Sequence, residues 1–176
     1  MNTNIALIGF MATGKTTVGK LLAEKLRKDF IELDTVIEQN AGKSIPDIFG
    51  QDGEIRFREL EIEAVREVAD KNNAVIACGG GIVLNKINID RLKKESVIIC
   101  LTASLPVILK RSLVDNDNRP LLNVKDRQKQ IKELLVFRRP FYARAADVTI
   151  NTSRLTIEEV VDKIIGSLKD YESCNR

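Results

Sequence analysis

The eight residues Gly9-Phe10-Met11-Ala12-Thr13-Gly14-Lys15-Thr16 follow the spacing G-x-x-x-x-G-K-[ST], and no other stretch narrows the possible folds as far. An apolar run, Ile5-Ala6-Leu7-Ile8, precedes them and a helical pattern from Lys15 to about Leu26 follows. Strand, loop and helix in that order are the context such a loop needs. Its glycines let the backbone turn its N–H groups inward, and the helix adds the positive end of its dipole. Gly9, Ala12, Thr13, Gly14, Lys15, Thr16 and Thr17 are therefore candidates to cradle the phosphates of a nucleotide. Lys15 would reach the outer phosphates and the Thr16 hydroxyl a magnesium ion. With glycine at about 7% of residues, a chance match in a chain of this length is an event of roughly one in a hundred.

A chain of 176 residues is expected to form one domain, 1–176, with a core of its own. Its net charge of +3 comes from mixed Lys, Arg, Asp and Glu, not from the concentrated basic stripe of a nucleic-acid binder. No apolar stretch approaches the length of a membrane span, and the N-terminus shows no charged-then-apolar leader. The expectation is a cytoplasmic monomer that handles small molecules, with neither nucleic acid nor membrane as partner. Histidine is absent, which removes histidine bases, Ser-His or Cys-His nucleophile pairs and histidine metal ligands. The three cysteines lack metal or redox spacing. Cys78 and Cys100 sit in apolar runs as small hydrophobes, and Cys174 lies in a polar tail.

Strand-like and helix-like runs alternate along the chain. Phe30–Leu33, Ala74–Cys78, Val97–Leu101 and Asp147–Ile150 read as further strands. Helices are expected at Asp34–Ala41, Ser44–Phe49, Gly53–Asp70, Ile87–Lys93, Leu105–Ser112, Asp126–Arg139 and from Thr156 to about Lys169. Ile55, Leu60, Ile62, Val65 and Val68 supply the apolar side of the long one. Ser44 with Asp47, and Thr156 with Glu159, have capping-box spacing. Near-continuous apolar strands separated by helices mean a doubly wound α/β fold: five parallel strands with helices on both faces. Ligands of such sheets bind beyond the carboxyl ends of the strands. That edge collects Gly9–Thr16, Asp34, Gly79-Gly80-Gly81 and a polar loop at about 113–125 that carries Arg119.

A phosphate loop alone does not separate a kinase from a GTPase, a motor or a passive binder. The chain is too short for motor domains, has no guanine-reading N-K-x-D sequence, and carries a lid-like arginine loop that could exclude water. These features favour a small-molecule kinase. Gly9–Thr16, Asp34 with Ile37-Glu38, Gly53-Glu54 with Phe57-Arg58, Gly79-Gly80-Gly81, Arg119-Pro120-Leu121-Leu122 and Arg138-Arg139-Pro140-Phe141-Tyr142 also occur in one order. In that order and spacing the chain resembles the shikimate kinase family from the phosphate loop to the last helix. The resemblance implies a P-loop kinase of the nucleoside-monophosphate-kinase type that uses ATP and Mg2+ to phosphorylate the 3-hydroxyl of shikimate, a step toward aromatic amino acids. It further implies that Arg58 and Arg138 hold the acceptor carboxylate and that Asp34 orients the attacking hydroxyl. Gly79, Gly80 and Gly81 would approach the ring, Lys15 and Arg119 act on the transferring phosphoryl group, and Arg111 and Arg154 line the adenine pocket.

Each residue also has a plainer reading from its position. Arg58 could be a surface charge between glutamates, Asp34 a helix N-cap, the triple glycine a flexible turn, and Arg138 solvated charge near a helix C-terminus. The family usually has aspartate where this chain has Glu32, a position that would organise Mg2+ through water beside Thr16. Glu32 keeps the charge and adds a methylene. It is either a metal-site residue or a solvated strand end.

Overall fold

A computed structural model describes residues 4–114 and 126–174, without the side chains of Val114, Glu172 and Cys174. Five strands, β1 (Asn4–Gly9), β2 (Asp29–Glu32), β3 (Ala74–Ala77), β4 (Ser96–Thr102) and β5 (Val148–Asn151), form one parallel sheet in the order β2-β3-β1-β4-β5. The helices are α1 (Lys15–Leu26), α2 (Leu33–Ala41), the single turn α3 (Ile45–Asp47), α4 (Gly53–Ala69), α5 (Lys86–Glu95), α6 (Leu105–Val114), α7 (Arg127–Ala145) and α8 (Ile157–Cys174).

The period-2 alternation of strand side chains divides the core into two layers. Ile5, Leu7, Val75, Val97, Ile99 and Leu101 face α1 and α8, where Val18, Leu22, Val160, Val161 and Ile164 cover them. Ala6, Ile8, Ile76, Ile98 and Cys100 face the other way, against α2, α4, α5 and α7. Both faces of every central strand are thus dry, which explains why these strands read as unbroken apolar runs. Cys78 and Cys100 are buried free thiols in the second layer. Both caps form: Ser44 Oγ accepts from the Asp47 N–H and donates to the Asp47 carboxylate, and Thr156 and Glu159 make the full box, each accepting the other's backbone N–H.

Several boundaries differ from the expectation, each for a physical reason. Leu33 opens α2 instead of closing β2, because it is fully buried beneath that helix and Glu32 takes the N-cap. Ile55 is not part of the apolar side of α4: it is 80% exposed, and Phe57, Leu60, Glu61, Ala64, Val65 and Val68 form the buried stripe. The segment after α3 runs on as a π-helical turn, Ile48–Asp52, that buries Ile48. The helix expected to stop at Arg139 continues through Pro140 to Ala145. Proline removes one hydrogen bond there and its exposed ring avoids the core, while Arg138, Tyr142 and Ala145 on either side of it are buried. The last helix likewise extends past Lys169 to Cys174.

Candidate active site

The phosphate loop emerges from β1 at the centre of the sheet, where the chain turns to opposite sides for β3 and β4. Gly9 has φ 145°, and a Cβ on it would collide with the Leu101 carbonyl oxygen of β4. Only glycine fits that turn. Gly14, at φ 95°, caps α1. Thr13 is buried and its hydroxyl donates to the Phe10 carbonyl at 2.8 Å. The Lys15 ammonium donates to the Gly9 and Phe10 carbonyls, both at 3.0 Å, so it lies along the concave side of the loop. Thr17 is exposed on the first turn of α1.

Arg111, on α6, reaches back to this loop. Its guanidinium donates to the Ala12 carbonyl at 3.3 Å, to Thr152 Oγ1 at 3.1 Å and to the Thr152 carbonyl at 3.0 Å. The Thr152 hydroxyl stands 3.2 Å from both the Thr13 and Thr102 carbonyls. This buried threonine, just past β5, joins the phosphate loop to two other strand ends, and no sequence motif marks it. Arg154 is exposed two residues farther on. Arg119 and residues 115–125 of the expected lid lie outside the described residues.

Glu32 is half-buried beside the Thr16 side chain. Burial pushes its carboxyl above the usual range, against the pull of the Thr16 hydroxyl; Asp34 adds to the rise and Lys15 opposes it. Its Oε2 is buried with no hydrogen-bond partner. A magnesium ion with its water shell fits that pair: a threonine hydroxyl, a carboxylate oxygen lacking a donor, and a phosphate loop alongside. Among the described residues no cluster of three or more Asp, Glu, Cys or His could hold a metal alone, so phosphate and water oxygens would supply the other ligands.

The second half of the site lies across the Gly79–Gly81 stretch after β3. Together the two halves line one open cleft of about 830 Å³. A Cβ on Gly79 would stand 2.9 Å from Asp34 Oδ1, and one on Gly81 would collide with the Arg58 guanidinium. The glycines are therefore a flat seat against which a carboxylate and a guanidinium rest, not a loose turn. Asp34 does not cap α2; that place is taken by Glu32, and Asp34 projects from the first turn into the cleft.

Arg58 is held on two sides. It meets both Glu61 oxygens at 3.1 Å and Glu54 at 3.0 Å, with its side chain only 19% exposed. Glu61 is buried, and burial raises its carboxyl pKa despite the opposing Arg58 charge. Arg58 and Glu61 share a helix face at i,i+3, so the spacing in the sequence already pairs them. Arg138 is 5% exposed in the middle of α7, its guanidinium near the Phe10 ring and its Nε buried without a partner. It is no solvated terminal charge; Arg139, its neighbour, is the exposed one. Cys78 forms part of the cleft floor, where burial pushes its thiol well up and leaves it protonated. Across the whole cleft, three cations (Lys15, Arg58, Arg138) face four carboxylates (Glu32, Asp34, Glu38, Glu61) among the described residues.

The family model for shikimate kinase matches residues 11–169. A shikimate kinase of Thermodesulfovibrio yellowstonii is 52% identical over 169 residues, covering 96% of this chain and 95% of that protein. One from Caldanaerobacter subterraneus is 51% identical over 162 residues, or 92% of this chain and 94% of its own length. Among solved structures, the shikimate kinase of Acinetobacter baumannii in complex with shikimate superposes with a TM-score of 0.91 at 35% identity, covering 96% of this chain and 94% of that one. A gluconokinase of Sinorhizobium meliloti shares the fold, with a TM-score of 0.62 at 16% identity.

Proposed function

The chain belongs to the shikimate kinase family and has shikimate kinase activity, and from that premise we propose how its cleft divides the work. ATP lies in the phosphate loop. Gly9, Ala12, Thr13, Gly14, Thr16 and Thr17 surround its phosphates, and Arg111 and Arg154 line the adenine side. Shikimate lies against Gly79, Gly80 and Gly81, its carboxylate on the Arg58 and Arg138 guanidinium groups. Arginine suits that task because its planar fork matches a carboxylate.

Asp34 accepts the hydrogen bond of the 3-hydroxyl and receives its proton as the oxygen bonds to the γ-phosphorus. The bridging P–O bond breaks and ADP leaves. Lys15 and Arg119 stabilise the charge that spreads over the transferring oxygens. Thr16 and Glu32 hold Mg2+, which neutralises phosphate charge when bound. Arg119→Ala with an unchanged kcat would remove Arg119 from this account. A cytoplasmic monomer acting on small molecules completes the reading.

The observation that carries it is the convergence of Asp34, Arg58 and Arg138, from three helices, on one glycine seat beside the phosphate loop. A gluconate or nucleoside monophosphate kinase would share the loop, and gluconate too carries a carboxylate that Arg58 could hold, so the acceptors are compared directly. A non-catalytic nucleotide binder has no need of Lys15, Thr16 and Asp34 together. The deciding measurement is ADP release from ATP with shikimate, quinate, gluconate or AMP as acceptor. Strong stimulation by shikimate alone is expected. Equal rates with every acceptor, or none with any, would overturn the reading.

A further inference from the structure

Tyr142 carries no role in the reading above, yet it stands where the acceptor half of the cleft is fastened together. It lies one turn after Arg138 on α7, facing the same way, and is 5% exposed. Its hydroxyl donates to the Gly80 carbonyl, 62 residues earlier in the chain. The Arg138 guanidinium lies at the same glycine, its Nη1 3.7 Å from where a Cβ on Gly80 would stand. A phenol has one proton to give, so its use on Gly80 leaves the lone pairs of the oxygen for the Arg138 cation. Gly80 stands between the two glycines that seat Asp34 and Arg58. One hydroxyl thus ties the third acceptor residue to the seat of the other two. Burial pushes the Tyr142 hydroxyl well above the ordinary phenol range, so the group stays protonated and remains a donor.

We propose that Tyr142 is a positioning residue for the acceptor: its hydroxyl holds the Arg138 guanidinium against the Gly80 carbonyl and so sets the fork that receives the shikimate carboxylate. This rests on the assignment of Arg138 to that carboxylate. Without the hydroxyl, the Gly80 carbonyl and Arg138 lose a shared partner in a place that water reaches poorly, and the guanidinium can rotate within its pocket. The phenol ring packs in the core, so Tyr142→Phe keeps the shape and removes only the oxygen. Networks of this kind are separated from packing by double-mutant cycles.

The experiment is steady-state kinetics of Tyr142→Phe, Arg138→Lys and the double variant, with calorimetric titration of shikimate. Tyr142→Phe is expected to raise the shikimate KM and Kd about 3- to 10-fold, the usual range for losing one buried hydrogen bond, with kcat and the ATP KM within about twofold of wild type. In the Arg138→Lys background the same change is expected to cost less than about twofold, because the fork it positions is gone. An unchanged shikimate KM in Tyr142→Phe, a parallel rise of the ATP KM, or full additivity in the double variant would overturn the proposal. Arg138→Ala separates the two levels. If Arg138→Ala raises the shikimate KM and Tyr142→Phe does not, the positioning role fails and the carboxylate site stands. If Arg138→Ala leaves it unchanged, the carboxylate assignment itself fails.

Discussion

Arg58 and Arg138 serve one cleft under different conditions. Arg58 is already neutralised by Glu54 and Glu61, whereas the Arg138 Nε is buried with no partner. Removing either should raise the shikimate KM at least tenfold with little change in the ATP KM, since truncating one partner of a buried charge pair costs about 2–5 kcal/mol. Arg58→Ala carries a second effect, because Glu61 is left buried without its cation. Arg58→Ala should therefore melt lower than wild type, and the added change Glu61→Gln should recover part of the loss. A calorimetric scan in which the double variant melts no higher than Arg58→Ala would show that the Glu61 charge is not the cause. Glu32 presents the other residue-scale question. Its orphaned Oε2 beside Thr16 predicts that Glu32→Ala raises the magnesium concentration needed for half-maximal rate while the shikimate KM is kept, and that Glu32→Asp retains activity. A magnesium titration of Glu32→Ala that overlays the wild-type curve would reduce Glu32 to a strand-end charge.

The elements matter through the places where they end. Thr152 closes β5 and holds Arg111, the phosphate loop and the end of β4 around one hydroxyl. Thr152→Val keeps the volume and removes the oxygen, so Arg111 loses its Oγ1 contact and the Thr13 carbonyl its hydroxyl donor, while the Thr102 carbonyl keeps the Thr152 backbone N–H. A stability loss of about 1–3 kcal/mol is expected, together with a rise in the ATP KM and an unmoved shikimate KM. Equal shifts in both KM values would mean that the threonine supports the sheet in general and not the loop. Motif and periodicity reveal the start of α1 and both caps, because each is decided by residues within one turn of itself. They do not reveal that Leu33 belongs to α2, since an apolar residue after Phe30-Ile31-Glu32 suits a strand equally well until α2 lies over it. The passage of α7 through Pro140 is hidden for the same reason: local chemistry argues for a stop, and only the burial of Arg138, Tyr142 and Ala145 argues against it. The acceptor residues are legible singly as charges on helices. That Gly79 and Gly81 are seats for Asp34 and Arg58 is a fact of contact between segments 23 to 45 residues apart, which no spacing rule contains.

At the scale of the molecule, the order β2-β3-β1-β4-β5 puts the phosphate loop on the middle strand, with Asp34 and Gly79–Gly81 beyond the strands on one side of it and Arg111 and Thr152 beyond those on the other. None of the described helices is long and apolar enough to cross a membrane. The near balance of cations and carboxylates along the cleft has a kinetic meaning. With three cations against four carboxylates among its described residues, the cleft offers an anion little long-range attraction. Its ligands arrive by unguided diffusion and are sorted on arrival, by hydrogen bonds a few ångströms long. Stopped-flow association of shikimate should then vary by less than about threefold between 20 and 200 mM salt, where a steered encounter would slow steeply over the same span. Selectivity in such a cleft resides in how long a ligand stays, so on the proposed carboxylate contacts Arg58→Ala and Arg138→Ala should shorten the residence time of shikimate and leave its rate of capture unchanged.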